Sequence, residues 1–275
     1  MSQSEVMLED IEVAGVSSRM ASAGAADGQP ILYLHSERGI GEELAFVAEL
    51  ARFGRVVAPV HPAYAKDAPP HFRRPDDIAF FHLDVMDRLG WRQCTIVGAG
   101  LGGWVALELM TMAPGAADAA VLIAPAGVKF SGSHDTDMLD LFTRTAEDLE
   151  ALAFEKPELQ RTTFSAMDEA ALSDFVRARE ATARYAWLPY MHNPALRHRL
   201  HRVTAPVTLV WGGNDRISPP ANAARYAEAL PRAQVRMVDG AGHYPQIEAP
   251  QDVAAIVAAG NPAQQAGLPL AAGAN

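Results

Sequence analysis

Short runs of apolar residues alternate along the chain with longer segments whose apolar positions recur every three or four residues. The compact runs predict buried strands at 31–35, 55–59, 95–98, 120–124, 206–211 and 234–238. The helical spacing predicts helices at 41–53, 75–89, 101–112, 219–230 and 253–259. Apolar strands separated by helices are typical of a parallel sheet that is covered on both faces. The pattern therefore predicts an α/β protein.

The alternation stops after the fourth of these strands and resumes only near residue 206. Residues 133–200 carry helical patterns and charge, without a convincing strand. A chain of 275 residues also exceeds the usual ~150 residues of one domain. We therefore expect one sheet domain formed by 1–130 and 200–260, with a helical cap inserted at 131–199. The last stretch, 261–275, consists largely of Ala, Gly, Pro and Gln and is predicted to be a flexible tail.

Composition narrows the class of protein further. Apolar residues make up 49% of the chain, enough for a large core, and the formal charge of -10 disfavours a binder of nucleic-acid phosphates. The single cysteine, Cys94, excludes an internal disulfide framework and a zinc site built on several thiolates. No apolar run approaches the ~18 residues of a membrane span, and the acidic start is unlike a signal peptide. We expect a cytoplasmic protein, and a homo-oligomer is left open.

The most informative segment is a glycine-rich turn between a predicted strand and a predicted helix, Gly98-Ala-Gly-Leu-Gly-Gly103. Gly98, Gly100 and Gly103 have the spacing of a dinucleotide fingerprint, in which the backbone approaches a pyrophosphate. Gly98 and Gly102 instead have the spacing of a nucleophile elbow, with Gly100 at the position of the nucleophile. A tight turn that needs glycine for packing alone is the third interpretation.

The surrounding sequence disfavours the dinucleotide interpretation. A ribose-binding acid is expected ~20 residues after the fingerprint, at the end of the next strand. That strand ends in Ile-Ala-Pro-Ala at 123–126, without an acid. Two strand–helix units also precede the glycine turn, whereas the fingerprint belongs on the first strand of its domain. No cofactor is therefore expected.

Two later segments favour the elbow. Asp215 follows directly after a predicted strand, and His243 lies in a glycine loop after the next one. The order nucleophile, acid, histidine is that of the α/β-hydrolases. On these residues, and on matching segments at 34–35, 58–62 and 122–127, the sequence resembles the α/β-hydrolase superfamily over about residues 25–260. It looks most like bacterial capped hydrolases of esters and carbon–carbon bonds, which implies an eight-stranded, mostly parallel sheet.

The resemblance implies a Ser–His–Asp triad, with Asp215 as the acid and His243 as the base. Gly100 departs from it, because glycine has no side chain that could attack a substrate. The family's His-Gly oxyanion motif reads His35-Ser36, and the usual glycine-rich loop after the second strand reads Pro-Ala-Tyr-Ala at 62–65. Removal of the serine from a related triad costs about 10⁶ in turnover. An ordinary acyl-enzyme mechanism is therefore not expected.

Three explanations remain for the missing serine. The chain is an engineered inactive variant, a repurposed enzyme, or a non-catalytic protein that binds a small molecule or a partner. In the repurposed enzyme, His243 oriented by Asp215 acts as a general base without a covalent intermediate, and the vacancy at Gly100 makes room for substrate or water. Retention of both Asp215 and His243 favours chemistry, although a buried structural pair would keep the same two residues.

The candidate pocket residues lie at the carboxyl edge of the sheet and in the inserted segment, and they are His35, Ser36, Leu101, His61, Trp187 and Tyr190. Together they would line a site for a small, largely apolar molecule. Ser36 is also a replacement nucleophile, although a turn-forming serine is the simpler interpretation. A structural role is the alternative for each of the others. His198 and His201 lie among arginines without an acid, so no metal site is expected.

Overall fold

The computed structural model describes residues 5–132, 134–159 and 167–260, and an eight-stranded sheet forms its centre. The strands are β1 Met7–Val13, β2 Val16–Ala23, β3 Pro30–Leu34, β4 Arg55–Pro59, β5 Cys94–Ala99, β6 Ala117–Ile123, β7 Val207–Gly212 and β8 Ala233–Val238. Their order across the sheet is β1-β2-β4-β3-β5-β6-β7-β8. The pairs of β1 with β2 and of β2 with β4 are antiparallel, and the others are parallel. The predicted α/β fold with a mostly parallel sheet is confirmed.

Helices flank the sheet. They are α1 Leu44–Leu50, α2 Pro75–Arg88, α3 Leu101–Met112, α4 Ala146–Ala153, α5 Glu169–Ala186, α6 Ala221–Ala229, α7 Pro245–Glu248 and α8 Pro250–Gly260. Short 3₁₀ helices lie at Ile40–Glu43, Pro157–Leu159 and Leu196–Arg202. Helix α2 begins as its sequence predicts, with Pro75 in the first turn and the Asp77 carboxylate accepting the backbone N–H groups of Arg73 and Arg74. None of the helices in the described ranges combines the length and the apolar composition needed to cross a membrane.

The sequence patterns missed the hairpin of β1 and β2 at one edge of the sheet. Most of β1 is exposed, so its polar residues form no apolar run, while β2 alternates between buried and exposed positions over part of its length. The strands are joined by Ala14 and Gly15, which both have positive φ. An exposed edge strand has only one neighbour to pack against, and hydrophobic periodicity therefore detects it poorly.

The central strands are buried throughout, as their apolar runs predict. All residues of β5 and β7 are buried, and Trp211 on β7 is among the largest fully buried side chains. Cys94, at the start of β5, is fully buried, and this burial raises the pKa of its thiol. It is a small core residue rather than a reactive thiolate.

The segment between β6 and β7 carries α4, α5 and two of the 3₁₀ helices, and its described residues form no strand beyond one isolated bridge. Helix α5 is tied to the loop after β4. The Thr182 hydroxyl lies 2.8 Å from that of Tyr64, and the Tyr185 hydroxyl donates to the Pro62 carbonyl at 2.9 Å. The division into core, cap and tail remains a prediction, and the tail at 261–275 lies outside the described residues.

Candidate functional site

The glycine turn forms a sharp connection between β5 and α3. Gly100 lies between them with φ 50° and ψ −115°, a conformation that residues with side chains rarely adopt. A Cβ at Gly102 would collide with the carbonyl groups of Leu34 and His35 on the neighbouring segment. The geometry is that of a strand–turn–helix elbow packed tightly against the end of β3.

Asp215 and His243 form a buried pair beside this turn. One oxygen of Asp215, Oδ1, accepts the backbone N–H groups of Ile217 at 2.9 Å and Ser218 at 2.8 Å. Its other oxygen accepts the Nδ1–H group of His243 at 2.8 Å. The backbone of His243 is held in turn by its N–H group, which donates to the Ala153 carbonyl at 2.7 Å. Asp215 therefore fixes the orientation of the imidazole and directs Nε2 towards Glu37.

Glu37 fills the space above Gly100. Its Oε2 accepts the backbone N–H group of Leu101 at 3.1 Å, and its Oε1 accepts the Tyr244 hydroxyl at 2.6 Å. Oε1 also lies 3.7 Å from Nε2 of His243. A Cβ built on Gly100 would approach Oε2 of Glu37 more closely than real Cβ atoms approach any atom. The carboxylate thus occupies the space into which a side chain at residue 100 would project.

The pairing of β3 with β5 explains why Glu37 reaches this position. The two strands are parallel, and Leu34 lies opposite Gly98 in their register. Glu37 follows Leu34 by three residues, and Leu101 follows Gly98 by three residues. The Glu37 carboxylate and the Leu101 N–H group therefore lie next to each other at the same edge of the sheet.

The ionisable side chains of Glu37, His243 and Tyr244 lie in contact and form what we call the charged array. Burial by itself would raise the pKa of Glu37, but the His243 imidazolium and the Tyr244 hydroxyl outweigh it and lower that pKa to about 2. Burial would likewise lower the pKa of His243, but the Asp215 carboxylate and then Glu37 raise it to about 10. Burial and the neighbouring Glu37 raise the pKa of Tyr244 well above its usual value. At neutral pH the site therefore holds an imidazolium beside ionised Glu37, with a neutral phenol next to them.

A small cavity opens onto Glu37 and Tyr244. It offers about 60 Å³ to the centres of water molecules. Its apolar lining comes mainly from α4, α5 and nearby segments and includes Leu141, Phe142, Leu149, Ala178 and Ile217. The polar wall includes Arg38, whose guanidinium pairs with Glu150 at 2.7 Å and lies over the Phe154 and Tyr244 rings. A small molecule in this cavity would contact Glu37 and Tyr244, the two members of the charged array that line it.

His35 and His61, two of the predicted pocket residues, belong instead to a buried chain of histidines that continues to His82 on α2. His35 donates from Nδ1 to the Ser36 carbonyl and accepts the His61 backbone N–H group at Nε2. His61 donates from Nε2 to the His35 carbonyl, so its Nδ1 accepts from His82 Nε2. Burial lowers the pKa of His35 to about 4, that of His82 to about 3, and that of His61 well below its usual value. These three residues, the histidine chain, are neutral and lie outside the lining of the Glu37 cavity.

Ser36 points away from the site. Its hydroxyl donates to the buried carboxyl group of Glu43, which also accepts the hydroxyl of Tyr33 and the side-chain amide of Gln246. Burial raises the pKa of Glu43. The arrangement matches the turn-forming, structural interpretation of Ser36 better than a nucleophilic role.

Trp187 and Tyr190 lie behind the lining of the cavity. Trp187 is 59% exposed, and its ring centroid is 4.9 Å from that of Phe142. The Tyr190 hydroxyl donates to the Leu139 carbonyl and accepts the Leu141 N–H group. The structure therefore brings Gly100, the Leu101 amide, Asp215 and His243 together, whereas the two aromatic residues contact Leu141 and Phe142 of the lining without lining the cavity themselves.

Sequence analysis overlooked Glu37, although a signal was present. An acid that follows within three residues of a buried strand end is placed at the carboxyl edge of the sheet, where ligands bind in such folds. Among the described residues, no group of three or more His, Cys, Asp or Glu side chains is arranged to hold a metal ion.

Fold and site together define a protein built as an α/β-hydrolase, in which Glu37 fills the space above Gly100 next to the Asp215–His243 pair. The sequence matches the alpha/beta hydrolase family over residues 31–256, and the chain belongs to this family.

Several bacterial proteins are similar to the chain. The 2-hydroxymuconate semialdehyde hydrolase of a Pseudomonas species is 25% identical over 90% of this chain and 91% of its own length. Epoxide hydrolase EphH of Mycobacterium tuberculosis is 30% identical over 62% of this chain and 87% of its own length. The non-heme bromoperoxidase BpoC of the same species is 26% identical over 58% of this chain. The chain spans 64% of the length of that relative.

Solved structures agree on the fold. The 2-hydroxy-6-oxo-6-phenylhexa-2,4-dienoate hydrolase BphD from a Rhodococcus species superposes with a TM-score of 0.75 at 20% identity. The superposition covers 92% of this chain and 98% of that structure. At this identity the likeness concerns the fold alone.

Proposed function

We propose that the protein is a hydrolase of small, largely apolar molecules that works without a serine nucleophile, with Asp215 and His243 as its proton-transfer pair. The observation that carries this proposal is the buried hydrogen bond of 2.8 Å between them, which aims the second imidazole nitrogen at Glu37. A histidine oriented by a carboxylate beside a cavity is the arrangement used for acid–base catalysis.

The charge state sets the order of the proton transfers. Because the pKa of His243 is raised to about 10, the imidazole carries a proton at neutral pH and cannot accept one from water. It first serves as a general acid, and only the neutral imidazole that results can serve as a general base. The substrate must therefore contain an atom that needs a proton in the first step.

A non-catalytic binding protein is the second candidate, favoured by one specific contact. The carboxylate of Glu37 already accepts the Leu101 N–H group, which in a serine hydrolase would stabilise the oxyanion. A site whose donor is satisfied internally can bind a small molecule in the cavity without transforming it. The fit of Glu37 into the space above Gly100 also favours natural divergence over an engineered exchange of serine for glycine.

The test is hydrolysis of a panel of small esters, lactones and epoxides by the purified protein and by His243→Ala and Asp215→Asn. We expect turnover of at least one class, reduced to background in His243→Ala. His198→Ala, which removes an exposed histidine outside the site, is the matched control and should retain full activity. An absence of turnover on the whole panel, with binding of the same molecules, would favour the non-catalytic candidate.

The partner is a small molecule of few carbon atoms, in keeping with the size of the cavity beside Glu37. A cytoplasmic location and the absence of nucleic-acid and membrane partners stay predictions from composition.

A further inference from the structure

We propose, building on the hydrolase function above, that Glu37 is the nucleophile of this site and that the substrate is a small epoxide. The carboxylate attacks a ring carbon of the epoxide and carries it as an ester until water releases a diol. The nucleophile thus comes from the loop after β3 instead of from the elbow itself.

The two oxygens of Glu37 are held in different roles. Oε2 accepts the Leu101 amide, whereas Oε1 accepts the Tyr244 hydroxyl and lies 3.7 Å from His243 Nε2. A carboxylate oxygen has two lone pairs, so Oε1 can attack while Tyr244 still holds it. Both Glu37 and Tyr244 line the cavity, which gives a small molecule access to Oε1.

The first step forms one bond and breaks one. Oε1 of Glu37 bonds to a ring carbon of the epoxide, and the bond from that carbon to the ring oxygen breaks, with its electron pair going to the oxygen. The Nε2–H group of His243 donates its proton to this oxygen. The products are a hydroxyalkyl ester of Glu37 and a neutral imidazole still held by Asp215.

The second step restores the site. Water loses a proton to Nε2 of His243, and its oxygen bonds to the carbonyl carbon of the Glu37 ester. The negative charge then develops on Oε2, which already faces the Leu101 amide, the donor required for an oxyanion. Collapse breaks the bond from the carbonyl carbon to Oε1, and the diol leaves with Oε1 after its alkoxide takes the proton of the hydroxyl group that water added. Glu37 is again a carboxylate, with one oxygen from water, and His243 is again an imidazolium.

This charge cycle selects an epoxide among the substrates that a carboxylate can attack. Displacement of a halide from an alkyl carbon needs no proton, so His243 would stay protonated and no base would be ready for water. Attack on an ester would require expulsion of an alkoxide to give an anhydride, which is far less stable. Opening an epoxide consumes the proton of the resting imidazolium and leaves the base that the second step needs. His243 carries that proton at neutral pH, because Asp215 and Glu37 outweigh the effect of burial and raise its pKa.

The cavity limits the size of the substrate. A volume of about 60 Å³ for water centres corresponds to roughly four water-sized positions. Its lining by Leu141, Phe142, Leu149 and Ile217 suits a short alkyl group. Propylene oxide and butylene oxide have this size and polarity and serve as probes.

The decisive experiment is a single turnover of propylene oxide in water labelled with heavy oxygen, with excess protein, followed by mass spectrometry of the peptide that contains Glu37. We expect one heavy oxygen in Glu37 and an unlabelled diol, since the diol takes Oε1. A labelled diol with unlabelled Glu37 would mean direct attack by water and would overturn the proposal. Failure to hydrolyse either epoxide, with His243-dependent turnover of esters or lactones, would overturn it and leave the hydrolase function standing.

Glu37→Gln tests the same step by removing the nucleophile with little change in shape. We expect turnover of the epoxides to fall to background and the label to disappear, while the thermal unfolding temperature is used to confirm that the variant is folded. Glu9→Gln, on the exposed part of β1, is the matched control and should label and turn over as the unaltered protein does. Epoxide turnover that persists in Glu37→Gln would refute the assignment.

Discussion

At the scale of single residues, the site rests on an exchange between two positions that are far apart in the chain. Gly100 has no side chain, and Glu37 supplies a carboxylate in the space that a side chain there would take. The Leu101 amide and the Tyr244 hydroxyl then hold this carboxylate in place. A substitution of Gly100 therefore affects the position of Glu37, and a substitution of Glu37 affects the space above Gly100.

This coupling predicts that Gly100→Ser alone will not create a serine esterase. The new Cβ would collide with Glu37, and residue 100 has a positive φ that costs a residue with a side chain about 1 kcal/mol or more. We expect a lower unfolding temperature and no gain in hydrolysis of chromogenic esters. The Gly100→Ser, Glu37→Gly double variant should recover much of the stability.

Gly90→Ser is the matched control for backbone strain, because Gly90 also has a positive φ but no atom lies within 4 Å of its added Cβ. It should lose less stability than Gly100→Ser. A large, His243-dependent gain of esterase activity in the Gly100→Ser single variant would contradict the coupling.

A second prediction at this scale concerns the charge on His243. Asp215→Asn removes the carboxylate that accepts the Nδ1–H group, so the imidazolium loses its main stabilising partner. We expect the pKa of His243, raised to about 10 in the unaltered protein, to fall by about 1–3 units. Titration of the imidazole signals by NMR measures it. An unchanged pKa would mean that Glu37 alone holds the charge.

At the scale of secondary-structure elements, the segment between β6 and β7 is joined to the sheet by charged contacts beside the cavity. Arg38, in the loop after β3, pairs with Glu150 on α4 at 2.7 Å, and both side chains are buried. Thr182 on α5 contacts Tyr64 in the loop after β4. The walls of the cavity therefore depend on contacts between elements that are distant in sequence.

The buried ion pair gives the prediction for this scale. Arg38→Met removes the guanidinium that pairs with the buried Glu150 carboxylate, which should lower the free energy of unfolding by about 3 kcal/mol. The Arg38→Met, Glu150→Leu double variant should be more stable than the single one, because the buried carboxylate is removed together with the guanidinium. Urea denaturation measures both.

Lys66→Met provides the control, since Lys66 pairs with the largely exposed Asp10 and an exposed pair contributes at most about 1 kcal/mol. Equal losses in Arg38→Met and Lys66→Met would show that burial does not distinguish the two pairs.

At the scale of the whole molecule, buried neutral histidines and one buried protonated histidine should shape the dependence of stability on pH. His35, His61 and His82 are neutral in the fold with lowered pKa values, whereas His243 is protonated with a raised one. The unfolded chain titrates its histidines near pH ~6.5. The two groups therefore act on opposite sides of that value.

Below pH ~6.5 the histidines of the unfolded state bind protons, whereas the folded histidine chain stays neutral. The free energy of unfolding should therefore fall as the pH is lowered towards 4. Above pH ~6.5 the unfolded state releases a proton that the folded His243 keeps, and the contribution of His243 should be lost as the pH rises through about 10. We expect maximal stability near neutrality, with the steeper loss on the acid side, in urea denaturation over a pH series.

His82→Leu should make the acid slope shallower by up to one proton, or about 1.4 kcal/mol per pH unit. His198→Leu, at an exposed position, should leave the slope unchanged. Identical acid slopes in all three proteins would refute the role of the histidine chain.

Much of the fold was predictable because its signals are local. The apolar runs of β4 and β5 and the helical spacing of α3 need only neighbouring residues, and the observed α3, Leu101–Met112, matches the prediction. The hairpin of β1 and β2 was missed because β1 is largely exposed. The nearness of Asp215 and His243 was expected from their order after two neighbouring strands together with the family resemblance.

The α/β class, the place of the glycine turn and the lack of a side chain at Gly100 follow from the sequence alone. Which group fills the space above Gly100 depends on the tertiary structure. Glu37 meets the Leu101 amide because β3 and β5 pair in parallel with Leu34 opposite Gly98, and this register is a long-range property that no local periodicity contains. The charges on Glu37 and His243 follow from the same contact, since burial and proximity, rather than residue type, set their pKa values.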